Sequence, residues 1–407
     1  MKMVLASSGG GRNHARRGLF FGVVWAALLL TTACSPGLPA IPWLTPAAST
    51  RTPAAQRTPT PAAMETRTPP AVSPTPGRMT LRLWLPPQFM PQGPSDASRL
   101  LKARLNEYLA GHPGIDLDIR IKGSGDSPSL LDALSLTRSA APAILPDLAA
   151  LPRPDLEAAA LKGMLHPLGS LSEELSNPDW YLYARESGRV QKVDYGLPFA
   201  GDALAIVYHP SEFQQPPTTW EDLFAQKRSL ALVTDDPQGL LLLNLYLSTG
   251  SAVLDSSNRP QLEQEPMQHV LEVVQAGNLV PVQSEQAVWG AFADGRADMG
   301  LLWASRFIRE ERVEDSALMP LPSLGGEPFV LGTTWAWALA GSNSENDDVA
   351  ADLAKWLTAS DFLAEWDLAA GYLPPRPTAL QTWENHEPLD LISQSAELIP
   401  GDDVLVV

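Results

Sequence analysis

The chain has 407 residues, 44% of them hydrophobic, with 29 Lys and Arg against 46 Asp and Glu, a formal net charge of −17. That length exceeds what one simple core organises and fits two ordinary domains. The negative field argues against DNA, RNA and anionic lipid headgroups as partners.

At the N-terminus, Lys2, Arg12, Arg16 and Arg17 stand without an acidic residue before an apolar run from Leu19 to Leu30. Small residues then lead to Cys34, the single cysteine of the chain. An apolar run this short reads as a signal peptide, because about 20 apolar residues are needed to cross a bilayer. A lone thiol in an exported chain has no disulfide partner, and as a lipid attachment point it needs none. Residues 1–33 are therefore read as a lipoprotein signal, matching a lipobox except that Thr31 stands where Leu or Val is usual. Arg16-Arg17-Gly18-Leu19-Phe20 also resembles a twin-arginine signal; the general secretory route is the expectation. Residues 34–78 are rich in Pro, Thr and Ala, with repeats such as Arg51-Thr52-Pro53 and Arg67-Thr68-Pro69. Such a segment buries no core and favours extended polyproline II, so it is read as a tether behind the lipidated Cys34.

The body from Met79 onward holds 21 Lys and Arg against 45 Asp and Glu, a net of about −24. Thr80 to Trp84 alternates as a short strand, and Leu100 to Leu109 has helical spacing that ends at Gly111-His112-Pro113-Gly114. Ile115 to Ile121 alternates again and predicts a strand with one wet face. Gly123 to Pro128 then turns the chain into a helix running to about Arg138. Helices between strands predict largely parallel sheets covered on both faces.

Farther along, five segments carry a resemblance. They are Pro146-Asp147-Leu148 with Leu161 to Leu168; Tyr195-Gly196-Leu197-Pro198-Phe199 leading to Ile206-Val207-Tyr208; Pro217 to Leu223; Ala291 to Met299; and Gly371-Tyr372-Leu373-Pro374-Pro375-Arg376. In this order they resemble the extracellular solute-binding family that includes maltose-binding and other sugar-binding lipoproteins of ABC importers. The resemblance implies an α/β, two-lobed periplasmic-binding-protein-like fold with a ligand cleft and hinge. It divides the body into an N-terminal lobe, 79–207 plus 329–358, and a C-terminal lobe, 208–328 plus 359–407. Hinge crossings are expected near Val207-Tyr208, Pro320 to Phe329 and Leu357 to Asp361. After Arg376 fewer residues remain than sugar-binding relatives usually carry, which implies that helices completing the second lobe are missing or replaced. The implied function is a monomeric receptor, lipid-anchored on the outer face of the cytoplasmic membrane, that passes a sugar or oligosaccharide to permease subunits. An extracytoplasmic sensor or adhesion lipoprotein on the same fold is the alternative.

Nothing in the pattern predicts catalysis, a metal or a cofactor. The six histidines form no His-Glu-x-x-His pair, and Gly123-x-Gly125 lacks the third glycine of a dinucleotide fingerprint. It is read as a turn before a helix whose backbone N–H groups face a ligand. Aromatic rings are more telling, because sugar C–H faces stack on them at the carboxyl ends of strands. Trp84 ends the first strand, Trp303 follows Gly295-Arg296-Ala297-Asp298-Met299, and Trp335 follows Gly332-Thr333-Thr334. These three are the candidate stacking residues, while Trp220, Trp356 and Trp366 lie on helical patterns and are assigned to core. From the resemblance, Asp202 and Gln238 are candidate hydroxyl partners, and Arg376 buttresses its turn.

Overall fold

The computed structural model describes residues 78–401 apart from 124–127, 214–215, 256, 258, 311–312 and 342–343. The signal, Cys34, the tether and the centre of the Gly123-x-Gly125 turn lie outside the described residues.

The first third of the body alternates strand and helix as its periodicity predicts: β1 (Met79–Leu85), α1 (Asp96–Gly111), β2 (Ile115–Ile121), α2 (Leu130–Ala140), β3 (Leu148–Pro152) and α3 (Arg153–Leu161). Ser95 caps α1 by accepting the N–H of Ser98, which removes one of the unpaired donors every helix start leaves. Short α4 (Ser172–Leu175) and α5 (Leu182–Ser187) and the small hairpin β4 (Arg189–Val190) and β5 (Val193–Asp194) lead to β6 (Gly196–Tyr208). A second α/β run follows: α6 (Trp220–Ala225), β7 (Ser229–Val233), α7 (Leu240–Ser248), α8 (Gln264–Ala276), β8 (Asn278–Val282), α9 (Glu285–Ala293), β9 (Met299–Trp303), α10 (Ala304–Arg309) and β10 (Ala317–Met319). The chain returns along β11 (Val330–Leu339) and closes with α11 (Asp347–Trp356), α12 (Ser360–Ala370), α13 (Pro377–Leu380), α14 (Glu387–Gln394) and β12 (Ala396–Leu398).

Neighbouring strands run β2-β1-β3-β11-β6-β9-β7-β8. The flanks are parallel, as the alternation of strand and helix requires, with β1 beside β2 and β3 and β7 beside β8 and β9. The centre departs from the largely parallel expectation. There β11 runs antiparallel to both β3 and β6, and β6 antiparallel to β9. These are the two longest strands, and they join the two α/β runs instead of being laid down by a crossover helix. β6 pairs with β11 through Ala203 and with β9 from Leu204 onward. One strand thus leaves one half of the sheet and enters the other between adjacent residues.

Period-two alternation decides which rings share a face. Leu81, Leu83 and Leu85 of β1 pack in the same core as Trp337 and Leu339 of β11, with Trp335 against its edge. Trp84, Ala336 and Ala338 point the other way, into a core under α2 and α3. A third core surrounds the far part of β6 with Trp220, Tyr246, Phe292 and Met299. Helix α12 was assigned to the C-terminal lobe, yet Phe362, Leu363 and Trp366 pack into the core of β1, β3 and α1. Its apolar face fits the groove beside α1, whereas Ile392 of α14 and Ala396 of β12 join the core of β6. Arg376 buttresses its turn as expected: it is ion-paired to Glu174 at 2.9 Å and lies 3.9 Å from the Trp180 ring centre. Trp220 and Trp366 are core residues, as their helical spacing predicts.

Candidate functional site

The strand handover at Ala203-Leu204 places Asp202 between the two halves of the sheet. From β9 the chain turns through Trp303 into α10, and Asp202 Oδ1 accepts the backbone N–H of Ser305 at 2.9 Å and of Ala203 at 3.0 Å. A carboxylate at a helix start gains from the exposed N–H groups there. Burial dominates nevertheless and pushes the Asp202 carboxyl up to about 7, against the Ser305 and Ala203 hydrogen bonds and the Arg309 charge that favour ionisation.

Arg309 closes α10. Its Nε donates to the Ser305 carbonyl at 3.0 Å and its Nη2 to Ser305 Oγ at 2.7 Å, so the guanidinium folds back toward the helix start. The guanidinium carbon lies 5.3 Å from the Tyr372 ring centre. Burial raises the Tyr372 hydroxyl pKa, Arg309 lowers it and Asp202 raises it again, which ties the three groups into one electrostatic neighbourhood. Aromatic rings continue from there. Tyr372 lies 5.8 Å from Phe89, and Phe89 meets the half-buried Trp335 edge-on at 5.0 Å and 87°. Two glycines make the approach possible. A Cβ on Gly371 would lie 2.0 Å from Arg309 Cγ, and one on Gly201 would lie 2.1 Å from the Tyr183 hydroxyl oxygen. Gly371 also ends α12 with φ of +75°, a left-handed conformation that favours glycine. The cluster brings together a carboxyl acceptor, a guanidinium donor and the half-buried rings of Tyr372 and Trp335, with the buried Phe89 packed between them.

Residues 103–389 match the family described as bacterial extracellular solute-binding protein. The chain belongs to this family. No curated protein sequence matches it. Among solved structures, the sugar-binding protein MalE of Xanthomonas citri is similar over 79% of this chain and 87% of its own, at 18% identity and a TM-score of 0.65. The cyclic α-maltosyl-1,6-maltose-binding protein of Arthrobacter globiformis gives 80%, 89%, 18% and 0.65, and maltose-bound MalE3 of T. maritima gives 80%, 90%, 17% and 0.61. At these identities the likeness establishes the fold, a two-lobed periplasmic-binding-protein-like α/β architecture.

In this solute-binding protein the sequence-derived candidates separate. Asp202 and Trp335 fall in the cluster just described, and Trp303 immediately precedes α10, half-buried, with its N–H on Glu285 Oε1 at 3.3 Å. Trp84 does not join them. It is 1% exposed, packed with Leu130, Leu134 and Leu151, and covered by the Lys122 ammonium 4.3 Å from its ring centre. The alternation that makes β1 a strand turns Trp84 away from the Trp335 face, so no ring face is open to a ligand. Gln238 is exposed, with its backbone N–H on Asp236 Oδ1, and lines a depression of about 540 Å³ with Leu242 and Tyr246 of α7, Met267 of α8 and Leu262 between the two helices in the chain. Sequence reading missed Phe89, Ser305, Arg309 and Tyr372. Tyr372 sat inside a quoted motif, and Arg309 stands four residues after Ser305, the spacing that lets it reach back along a helix. Among the described residues no cluster of three or more His, Cys, Asp or Glu could hold a metal ion, and no helix is long and apolar enough to cross a membrane.

Proposed function

We infer that this protein is a receptor that captures a neutral sugar or oligosaccharide between its two lobes and delivers it to the permease of an ABC importer, anchored on the outer membrane face by lipid on Cys34. The observation that carries this reading is the convergence of Asp202, Ser305 and Arg309 with Tyr372, Phe89 and Trp335 where β6 passes from one half of the sheet to the other. A sugar hydroxyl both donates and accepts, so a carboxyl beside a guanidinium satisfies it. Its C–H face needs an aromatic surface. Bending about β6 and the segment before β11 would close the lobes, since a few residues at element ends absorb such rotation. Trp303 and Trp335 are proposed as stacking residues on opposite sides of that closure.

The test is titration calorimetry with maltose, maltotriose, maltotetraose and tagatose, sugars carried by structures of the same fold, joined to solution scattering. Binding of a panel sugar with a smaller radius of gyration is the expected result. Binding without compaction would remove the hinge from the reading, and absence of binding by all four would overturn it.

A further inference from the structure

We propose that Arg309 is a specificity-determining residue of this cleft: with Asp202 it reads a pair of adjacent hydroxyls on a neutral sugar, and Gly371 is the residue that admits it. The inference rests on the proposed function and adds to it a residue and a hydroxyl pattern.

Arg309 is exposed, and its contacts leave it available. Its helix neighbour Arg306 is ion-paired to Glu310, whereas among the described residues Arg309 has no ion-pair partner: its guanidinium bonds Ser305 and meets the Tyr372 hydroxyl. Those two bonds use Nε and one Nη2 hydrogen. With the Tyr372 contact a third donor is engaged, and the remaining two of the five N–H groups are held in a fixed orientation by the bonds behind them. Asp202 Oδ1 accepts the backbone N–H groups of Ser305 and Ala203 and the carboxyl also meets the Ser305 hydroxyl, which leaves it acceptor capacity for one further donor. A guanidinium and a carboxyl held by the same Ser305 match two neighbouring hydroxyls, each accepting from Arg309 while one donates to Asp202. Above about pH 7, where Asp202 is ionised, the charges of the pair compensate, which selects a neutral ligand over an anionic one. Tyr372 lies against the guanidinium and packs through the buried Phe89 on Trp335, so the polar edge and the two half-buried rings are held in one packed cluster. The steric room is specific. Any side chain at Gly371 would occupy the place of Arg309 Cγ.

The experiment titrates the wild type, Arg309→Met, Arg309→Lys and Gly371→Ala with the four panel sugars and with glucuronate. Arg309→Met keeps the aliphatic stem and removes the fork, and it should weaken the best panel sugar by about ten- to a hundredfold, as loss of hydrogen bonds to a charged group does. It should also flatten the preference among panel sugars while leaving the melting temperature in place, a readout that a merely structural role would not move. Arg309→Lys keeps the charge without the fork and should recover little. Gly371→Ala should reproduce the loss by displacing Arg309, and the double variant Gly371→Ala with Arg309→Ala should melt above Gly371→Ala but below Arg309→Ala, because the obstructed Cγ is gone while alanine at a φ of +75° stays strained. Wild-type affinity and selectivity in Arg309→Met would overturn the inference and leave the proposed function standing. Tighter binding of glucuronate than of any panel sugar would overturn the neutral-diol assignment, and failure of every panel sugar on the wild type would remove both readings.

Discussion

Asp202→Asn should make the protein more stable than the wild type at neutral pH and no more stable in acid. In the unfolded chain this carboxyl has its ordinary value of 3.8, and in the fold burial pushes it up to about 7. Below pH 3.8 it is protonated in both states and contributes nothing to pH dependence. Between pH 4 and 7 the folded state keeps a proton that the unfolded state has lost, so wild-type stability falls as pH rises through this window. At 1.36 kcal/mol per pKa unit, the shift from 3.8 to about 7 amounts to about 4 kcal/mol lost by pH 8. Asparagine keeps an oxygen for the N–H groups of Ser305 and Ala203, which Asp202 Oδ1 now accepts, and it cannot ionise. Glu174, Asp179 and Asp298 have lowered pKa values through their hydrogen bonds and charged partners, despite burial, and act in the opposite direction. They are common to both proteins and cancel in the difference. Urea denaturation followed by tryptophan fluorescence at a series of pH values gives that difference directly. It should be flat below pH 4 and grow by about 4 kcal/mol in favour of the variant by pH 8. A difference independent of pH would refute the buried-carboxyl reasoning, whatever the sugar affinity proves to be. At pH 8, where Asp202 is ionised, the variant should bind the panel sugar more weakly, since an amide replaces the charged acceptor.

Trp337 is 3% exposed and stacked on Phe199 at 4.4 Å, so Trp337→Ala should cost about 3–5 kcal/mol in chemical denaturation, as large core truncations do. Trp335→Ala removes a half-buried ring and should cost only about 1–2 kcal/mol while strongly weakening sugar binding in calorimetry; normal affinity would remove Trp335 from the site. Gly201→Ala drives a methyl to 2.1 Å from the Tyr183 hydroxyl oxygen and should destabilise by about 1–3 kcal/mol; an unchanged melting temperature would contradict the close packing there. Cys34→Ser should shift the protein from the membrane to the soluble fraction or leave it held only by an uncleaved signal, because acyl chains supply the anchoring energy. Unchanged partitioning with a cleaved N-terminus would end the lipoprotein reading.

The sequence by itself determined the local elements. Alternation over Thr80 to Trp84 and Ile115 to Ile121, helical spacing over Leu100 to Leu109 and the Pro217 to Leu223 helix start all correspond to elements of the fold, β1, β2, α1 and α6. These signals are written in neighbouring residues, since a strand repeats every second residue and a helix about every third or fourth. The family was legible for the same reason, as each quoted segment is short and its order is linear. Position in the site was another matter. Trp84 and Trp335 look alike in sequence, each an aromatic at a strand end, but they fall on opposite faces of the sheet through the register of β1 with β3 and of β11 with β3. The antiparallel centre, the change of partner between Ala203 and Leu204, the packing of α12 on α1 and the meeting of Arg309 with Gly371 all join residues far apart in the chain. Local periodicity carries no information about such pairs. Only the packing of whole faces against one another selects them, and this is why the tertiary structure, and not the chain read in order, brought Phe89, Asp202, Arg309 and Tyr372 to one place.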